Sequence, residues 1–584
     1  MNSINRKPRL PLKKRSNASD KPNSTIDIKN DGESVLFVPL GGLEEVGRNA
    51  MFFEYKDEII VIDLGLQFPE EETPGIDYII PNVTYLESKK QNIKAIILTH
   101  AHLDHIGGIP YLMQKLGNPP IYTTALTKAI VEKRQEEFTN APKLNIELIK
   151  GGDKVKFSEH FSGEFFAVAH NIPDTTGINL ITPVGNMVHF ADFKLESETG
   201  ERENHLRELE RIGKNGVHTL LLDSTNSEKP GFSLPEKTVE KNLQEIFEKS
   251  EGRIIVGIFA SLLSRIDKII QIAEKMGRHV AISGSSMKSN VQIAQNLGLM
   301  KIKKGTVVPL EELHKYKDEK ILILSTGAQG EPNASLMRIA NGEHNQIQIK
   351  NNDTIIFSSS VVPGNERSVQ NLKDNLARQG AKVYYSAIVD IHSSGHAPQE
   401  ELKMVISAIK PKFFIPVHGY YFMRATNGRL AEEVGVPKNK VLLPDNGQVM
   451  EMKHESVKIT GDQIPASYVM VDGLGVGDVG EVVLRDRQVL AAEGMVVIIV
   501  TIDRHNGRLI KNPNIISRGF IYLRENQEVL DEIRVKIKSL LQRIPRHQNI
   551  DPDYFKNLIR DQIGQFLFTK TKRRPMILPV LIDV

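Results

Sequence analysis

Ala95-Ile96-Ile97-Leu98-Thr99-His100-Ala101-His102-Leu103-Asp104-His105 decides how the rest of the chain is read. The first four residues are a short apolar run of the kind that forms a buried strand. Residues 100–105 then hold three imidazoles and one carboxylate. Burying such groups without partners costs several kcal/mol, and a bound cation compensates them well. A loop leaving a strand can turn His100 and His102 toward one point, with Asp104 and His105 facing a neighbouring one. The stretch therefore predicts a metal-binding loop at a strand end.

Composition narrows the ligands. The chain of 584 residues has no cysteine and 17 histidines. Thiolate metal sites, iron–sulfur clusters, disulfides and cysteine nucleophiles are excluded, so any metal sits on nitrogen and oxygen. Lysine plus arginine is 75 against 72 acidic residues, a net charge of +3. A histone-like polycation is thereby excluded, and nucleic acid would have to be met by a local patch. Values of 40% apolar and 25% charged are those of a globular protein. The length suggests roughly three or four domains at ~150 residues each. No apolar run reaches the ~18 residues of a membrane span, and no signal sequence follows the basic residues Arg6 to Arg15. The expectation is a cytoplasmic protein with a disordered basic arm over residues 1–33.

Working outward from the loop, Val35–Leu40, Glu58–Asp63, Phe165–Ala169, Asn179–Thr182, Met187–Phe190 and Thr219–Leu222 read as strands, and Gly107 to Leu116 as a helix. Beyond Pro235 strands and helices alternate: Lys237–Lys249 helical, Ile254–Ile258 extended, Leu263–Met276 helical, then strands at His279–Ile282, Ile321–Leu324 and Thr354–Phe357. That rhythm marks βαβ units and a parallel sheet inserted into a strand-rich domain. Phe413–Val417 is a further strand, ending on His418. Asp445–Ala466 is polar with Gly447, Gly461 and Pro465 and reads as a linker. A last unit has a strand at Met495–Ile502, a helix capped by Asn526 with Val529, Leu530, Ile533, Ile537, Leu540 and Leu541 on its apolar face, a second helix from Asp551 burying Tyr554, Phe555, Leu558, Ile559 and Ile563, and a closing strand at Met576–Leu581. The basic run Lys570, Lys572, Arg573 and Arg574 reads as a solvated face or an RNA contact.

HAHLDH resembles the H-x-H-x-D-H signature of the metallo-β-lactamase fold, an αββα sandwich whose sites hold two metals. The resemblance extends to Asp63 in VIDLG, His170 in VAHNIPD and Asp192 in FADFK. The inserted segment resembles the β-CASP domain of RNA and DNA nucleases, with its motifs at Asp223 in LLDSTN, His396 in HSSGH and His418 in IPVHG. GGLEEVGRN, LGLQFPEEETPGIDYIIPN, DSTNSEKPGF, STGAQGEP, VVPGNERSV, VDGLGVGDVGEVVLRDR and RRPMILPV are similar, in order from Val35 to Val584, to segments of the bacterial ribonuclease J family.

This resemblance implies an α/β chain divided into a metallo-β-lactamase domain over 34–232 and 389–448, a β-CASP insertion over 233–388, a linker over 449–467 and a small C-terminal α/β domain over 468–584. It implies two divalent ions, zinc first and manganese or magnesium as alternatives, with His100, His102 and His170 on one, Asp104, His105 and His418 on the other, and Asp192 bridging. Asp63 and Asp223 would orient ligands from behind. Asp192 and Asp104 would act in catalysis with His396, a donor or general acid at the scissile phosphate. His392, Ser393, Ser394, Gly395, His396, Ser261 and Ser286 would surround RNA phosphates; the small residues of HSSGH suit phosphate oxygens in their own right. The implied activity is 5′-to-3′ exonucleolysis and endonucleolysis of single-stranded RNA, preferring a 5′-monophosphate, in mRNA decay and RNA maturation including ribosomal RNA. Implied partners are a second copy or a homotetramer, a paralogue, or an RNA-degradation complex, with no membrane. The chain departs from the family pattern at Leu262, Leu263, Ser285 and Tyr420; Ser285 stands where an arginine fork would grip an anion more strongly. The other readings are a β-CASP nuclease on another nucleic acid, a weakly active RNA-binding subunit of a ribonuclease complex, and a small-molecule hydrolase of the same metal fold.

Overall fold

A computed structural model describes residue 28 and residues 32–69, 73–195, 199–331, 333–362, 364–473, 475–503, 508–521, 527–542 and 552–584. The expected basic arm falls almost wholly outside these residues, as do the helix cap at Asn526 and the helix start at Asp551.

Two sheets face each other. The first has eight strands in the order Ser456–Gln463, Gln448–Lys453, Val35–Gly41, Ala50–Tyr55, Glu58–Ile62, Ile93–Ile97, Ile121–Thr123, Ile146–Leu148. The second has six: Phe413–Val417, Val217–Asp223, Gly185–His189, Thr176–Thr182, Ser162–Ala167, Lys154–Lys156. Side chains alternate along each strand. Phe37, Phe53, Ile60 and Ile97 of the first sheet therefore meet Phe165, Ile178, Met187, Leu221 and Ile415 of the second in one core. The intervening residues turn outward. Val38, Phe52, Val61 and Ile96 pack into a core shared with helices. Val188, Leu220, Leu222 and Phe414 lie in another shared with the helices Thr199–Lys214, Gln399–Ile409 and Tyr421–Glu433. The result is a four-layer αββα sandwich. Each fully buried Phe, Ile or Leu contributes about 1.5–3 kcal/mol.

Glu58–Ile62 pairs parallel with Ile93–Ile97, and Val217–Asp223 pairs parallel with both Gly185–His189 and Phe413–Val417. Strands within each parallel group end on the same edge, where Asp63, residues 99–105, Asp192, Asp223 and His418 follow. The helix expected to start at Gly107 and run to Leu116 is cut to short turns: Leu103–Ile106, which precedes that stretch, and Ile109–Leu112 within it. Pro110 supplies no N–H to continue the first into the second.

The insertion is a five-stranded, wholly parallel sheet in the order His279–Ser283, Ile321–Ser325, Ile254–Gly257, Thr354–Phe357, Lys382–Tyr384. The helices Leu263–Lys275 and Ser285–Asn296 share a core with the first sheet, so the insertion is docked against the sandwich.

Asp445–Ala466 is not a linker. Gln448–Lys453 pairs with Val35–Gly41, and Ser456–Gln463 closes the edge of the eight-stranded sheet. Val449, Met450 and Met452 are buried, while the outermost strand is mostly exposed, which is why its composition looks like loop. The chain leaves this domain only after Val469–Asp472, which pairs with Tyr78–Ile80. The last unit packs Gln527–Gln542 and Pro552–Thr571 on a sheet ordered Asn514–Arg518, Met495–Ile502, Met576–Asp583. Phe555, Ile559, Ile563 and Leu567 form the buried stripe, and Tyr554 is exposed rather than part of it. Among the described residues no helix is long and apolar enough to cross a membrane.

Candidate metal centre

Three overlapping groups of side chains converge at the common strand edge: His100, His102, His170 and Asp192; Asp104, His105, Asp192 and His418; Asp192, Asp223, His396 and His418. Within each group the candidate ligand atoms lie within 4.8 Å of one another. Asp192 belongs to all three.

Behind these atoms, hydrogen bonds set the ring tautomers. His105 donates Nδ1–H to Asp63 at 2.7 Å, which turns its Nε2 toward Asp192 at 3.3 Å and Asp104 at 3.4 Å. Asp63 also accepts from the Thr99 backbone N–H and hydroxyl. His170 donates Nδ1–H to the Gly395 carbonyl at 2.7 Å and points Nε2 at His102. Gly395 has to be glycine, because a Cβ there would lie 2.5 Å from both His170 Cε1 and Asn171 Nδ2. Asp223 serves two rings: His396 Nδ1 lies 2.7 Å from one oxygen, His418 Nδ1 3.2 Å from the other. Thr225 sits 2.7 Å from both His418 Nδ1 and Asp223. Asp63, Ala191 and His418 all have left-handed backbone at φ 59°, 56° and 52°. That conformation costs roughly 1–2 kcal/mol in a non-glycine residue, and such strain clusters where geometry is functional.

The donor set fits divalent cations. His102 Nδ1 lies 3.1 Å from His100 Nε2 and 3.2 Å from His170 Nε2. A tetrahedral ion with bonds of about 2.0–2.1 Å separates its nitrogens by about 3.3 Å. Asp192 Oδ1 is buried with no hydrogen-bond donor among the described residues, the His418 ring nitrogen standing off at 3.7 Å, and an unbonded buried carboxylate oxygen is a costly state that a bound cation relieves. Burial, together with the neighbouring rings, holds His100 and His170 well below the usual imidazole range; burial brings His102 down to about 4. These three are neutral and ready to ligate. Burial also opposes charge on His105 and His418, but Asp192 and its fellow carboxylates override it, raising His105 well above the usual range and His418 to about 10. For His396, burial is outweighed by Asp223 and Asp192, and the ring is raised. Burial raises Asp104 and Asp192, yet the imidazoles around them win and hold both well below the usual carboxylate range.

Most of the remaining expected residues surround this centre. Ser394 and the His396 carbonyl accept from Asn226 at 2.8 Å, and Ser393 donates to the Leu234 carbonyl. His392, expected to face phosphate, is engaged inside the fold: Nδ1 accepts from Arg265 at 2.7 Å and the ring also bonds the Ser358 backbone. Burial beside that guanidinium lowers it to about 3. Arg265 reaches the Ser393 carbonyl and Glu236 too, and Glu236 is shared with Lys194. Arg265 and Glu236 lie in none of the quoted motifs, while Lys194 stands in FADFK and Thr225 and Asn226 in LLDSTN beside the aspartates that carry the resemblance. Ser261 is half-buried just before the helix Leu263–Lys275. Ser286 is exposed and lines a cavity whose walls include neither Ser261 nor residues 392–396. Leu262 and Leu263 are buried in the core, and Tyr420 stacks on Phe422.

Residues 43–216 match the metallo-beta-lactamase superfamily, 251–376 the ribonuclease J beta-CASP domain, 380–444 the Zn-dependent metallo-hydrolase RNA specificity domain, and 482–584 the ribonuclease J C-terminal domain. Ribonuclease J2 of Bacillus subtilis (strain 168) is 36% identical over 557 residues, 95% of this chain and all of that protein. Ribonuclease J 1 of Streptococcus pyogenes is 38% identical over 559 residues, 96% of this chain and 99% of its own.

The chain belongs to the ribonuclease J family.

Ribonuclease J 2 of Staphylococcus aureus (strain MRSA252) is 34% identical over 558 residues, 95% of this chain and all of that protein. A crystal structure of a protein of unknown function from Enterococcus faecalis V583 shares the fold at a TM-score of 0.52 and 18% identity, covering 72% of this chain and all of that one. As a ribonuclease J family member the chain is a metal-dependent ribonuclease, a hydrolase that binds RNA.

Proposed function

We propose that the strand-edge cluster holds two divalent ions, zinc by ligand type with manganese or magnesium as alternatives, and that the enzyme cleaves single-stranded RNA there. His100, His102 and His170 would hold one ion, Asp104, His105 and His418 the other, and Asp192 both. Its buried, donor-free Oδ1 is the observation that carries this reading. When bound, a cation pair lowers the pKa of water and offsets charge on a phosphorane. The chain's own part follows from the hydrogen bonds. Asp63 and Asp223 keep the His105 and His418 rings aimed, and Asp223 leaves His396 Nε2 free to hand its proton to the leaving oxygen. The turn of Ser393, Ser394 and Gly395, braced through Arg265 and Asn226, would offer backbone N–H groups and the Ser394 hydroxyl to a phosphate, the Ser393 hydroxyl being spent on Leu234, with Ser261 at the neighbouring turn.

The activity we infer is 5′-to-3′ exonucleolytic and endonucleolytic hydrolysis favouring a 5′-monophosphate, in cytoplasmic mRNA decay and RNA maturation including ribosomal RNA, by a homodimer or homotetramer that can join a paralogue or an RNA-degradation complex. Full-length relatives named ribonuclease J support it. The test uses end-labelled RNAs differing only in a 5′-monophosphate, triphosphate or hydroxyl, beside single-stranded DNA, with and without chelator. Stepwise products from monophosphorylated RNA, abolished by chelation, are expected. Preference for DNA, or chelator-resistant cleavage, contradicts the reading.

A further inference from the structure

The loop over residues 42–49, within GGLEEVGRN, joins the strands Val35–Gly41 and Ala50–Tyr55. Its last residue grips Asp104 at both ends. The Asn49 backbone N–H donates to the Asp104 carbonyl at 2.8 Å, and its side-chain amide donates to Asp104 Oδ2 at 3.3 Å. That amide also lies 3.1 Å from His105 Nε2. Asp104 Oδ2 is in turn 3.4 Å from both His105 Nε2 and His418 Nε2, close to the ~3.3 Å that separates tetrahedral ligands. The same loop reaches His418 through the backbone, where the Gly419 N–H donates to the Gly42 carbonyl at 3.1 Å. Asn49 is 3% exposed, whereas the Asp104 side chain is 30% exposed. A carboxylate so open to water needs an outside bond to keep one orientation. The imidazoles proposed for the other ion are held elsewhere, His170 by the Gly395 carbonyl and His100 beside the Thr99 hydroxyl.

Arg48 fixes Asn49 from the side away from the ligands. It is 1% exposed and has left-handed backbone at φ 54°, a conformation that persists in a non-glycine residue only where the surroundings enforce it. Here Nε and Nη2 donate to Glu45 Oε1 at 3.1 and 2.8 Å, Nη1 donates to the Ala466 carbonyl at 3.2 Å, and the guanidinium lies 4.6 Å from the centre of the Tyr468 ring. Glu45, itself buried, also accepts from the Gly42 N–H and from Asn446. Residues 466–468 are the last before the strand Val469–Asp472, beyond which the chain passes to the C-terminal unit. A buried guanidinium thus ties the root of that unit to the residue next to Asn49.

We propose that Asn49 is a positioning residue for the ion on Asp104, His105 and His418, and that Arg48 makes binding of that ion depend on the seating of residues 466–468. This rests on the two-ion reading, and the test separates them. Zinc is titrated by equilibrium dialysis into chelator-stripped full-length enzyme, in wild type, Asn49→Ala, Arg48→Lys, His170→Ala and the Asn49→Ala/His170→Ala double variant. Wild type should bind two ions. Asn49→Ala should weaken one of them about 10–100-fold and leave the other unchanged. His170→Ala should weaken the other, and the double variant both. Arg48→Lys keeps a charge for Glu45 but loses the planar fork, and should weaken the same ion as Asn49→Ala by several-fold. Cleavage by Asn49→Ala should recover as zinc saturates, a rescue that misfolding would not show. Two ions in wild type with Asn49→Ala unchanged, or with both ions weakened equally, overturn the proposal and leave the two-ion reading standing. Wild-type binding in Arg48→Lys also overturns it, because the seating of residues 466–468 would not reach the ligands. Should Arg48→Lys melt early without metal, Tyr468→Leu, which keeps the Arg48–Glu45 pair, takes its place with the same two outcomes. Fewer than two ions in wild type would overturn the reading and the proposal together.

Discussion

On one side of the candidate site, the loops after the parallel strands aim imidazole and carboxylate atoms at each other, with left-handed backbone at Asp63, Ala191 and His418 and a donor-free Asp192 oxygen. On the other, the turn over residues 392–396 is satisfied from within: His392 by Arg265, Ser393 by Leu234, Ser394 by Asn226, His396 by Asp223. The first side leaves a buried carboxylate oxygen without a donor, whereas the side chains of the second are held in place from within. Metal removal should therefore disturb the first and leave the second standing, whereas cutting the brace of the second should spare metal content.

The sharpest way to break this contrast is Asp192→Asn. It removes charge from the one carboxylate common to all three groups, and cleavage should fall by at least about 10³-fold while the melting curve of the C-terminal unit is unchanged. A loss under tenfold would mean Asp192 is not shared by bound ions.

Metal uptake sharpens the contrast inside the first side. His105 and His418 hold protons at neutral pH in the metal-free protein, His418 up to about 10, whereas His100, His102 and His170 hold none. A cation must displace the two protons, so uptake in weak buffer should acidify the solution. Affinity for the pair should rise by up to about a hundredfold per pH unit near neutrality, and flatten as pH approaches the His418 value. Pairwise affinity independent of pH would contradict the assigned ligands.

Asp223 joins the two sides, holding a proposed ligand and the proposed acid. Asp223→Asn should weaken metal binding by about 10–100-fold and slow cleavage even when metal saturates. A variant cured fully by excess metal would show that His396 does not need Asp223.

How much of this was legible follows from where the partners come from. Residues 99–105 could be read directly, because four candidate ligands within one loop have no packing rationale. Asp63, His170, Asp192 and His418 each stand alone in sequence and gained meaning only from the family resemblance. Arg265 was invisible for a physical reason: in the amphipathic helix Leu263–Lys275 an arginine reads as solvated surface, yet it is 4% exposed and grips a turn more than a hundred residues away. The hairpin over Gln448–Gln463 was missed because an edge strand exposed on both faces loses the apolar alternation by which strands are recognised.

Arg265→Met has the smallest expected effect, and a selective one. It should raise the KM for 5′-monophosphorylated RNA by up to about tenfold with metal content unchanged, since the bonds made by Arg265 reach the turn and Glu236 but no proposed ligand. Loss of metal in this variant would mean the two sides are not separable.

The most direct measurement is a titration of zinc or manganese into chelator-stripped enzyme, counting equivalents bound against RNA cleaved. The account predicts that cleavage is absent at zero and saturates at two ions per chain, with Asp192→Asn failing to reach wild-type activity at any metal concentration. Full cleavage in the stripped enzyme, or saturation at a single ion, would contradict it.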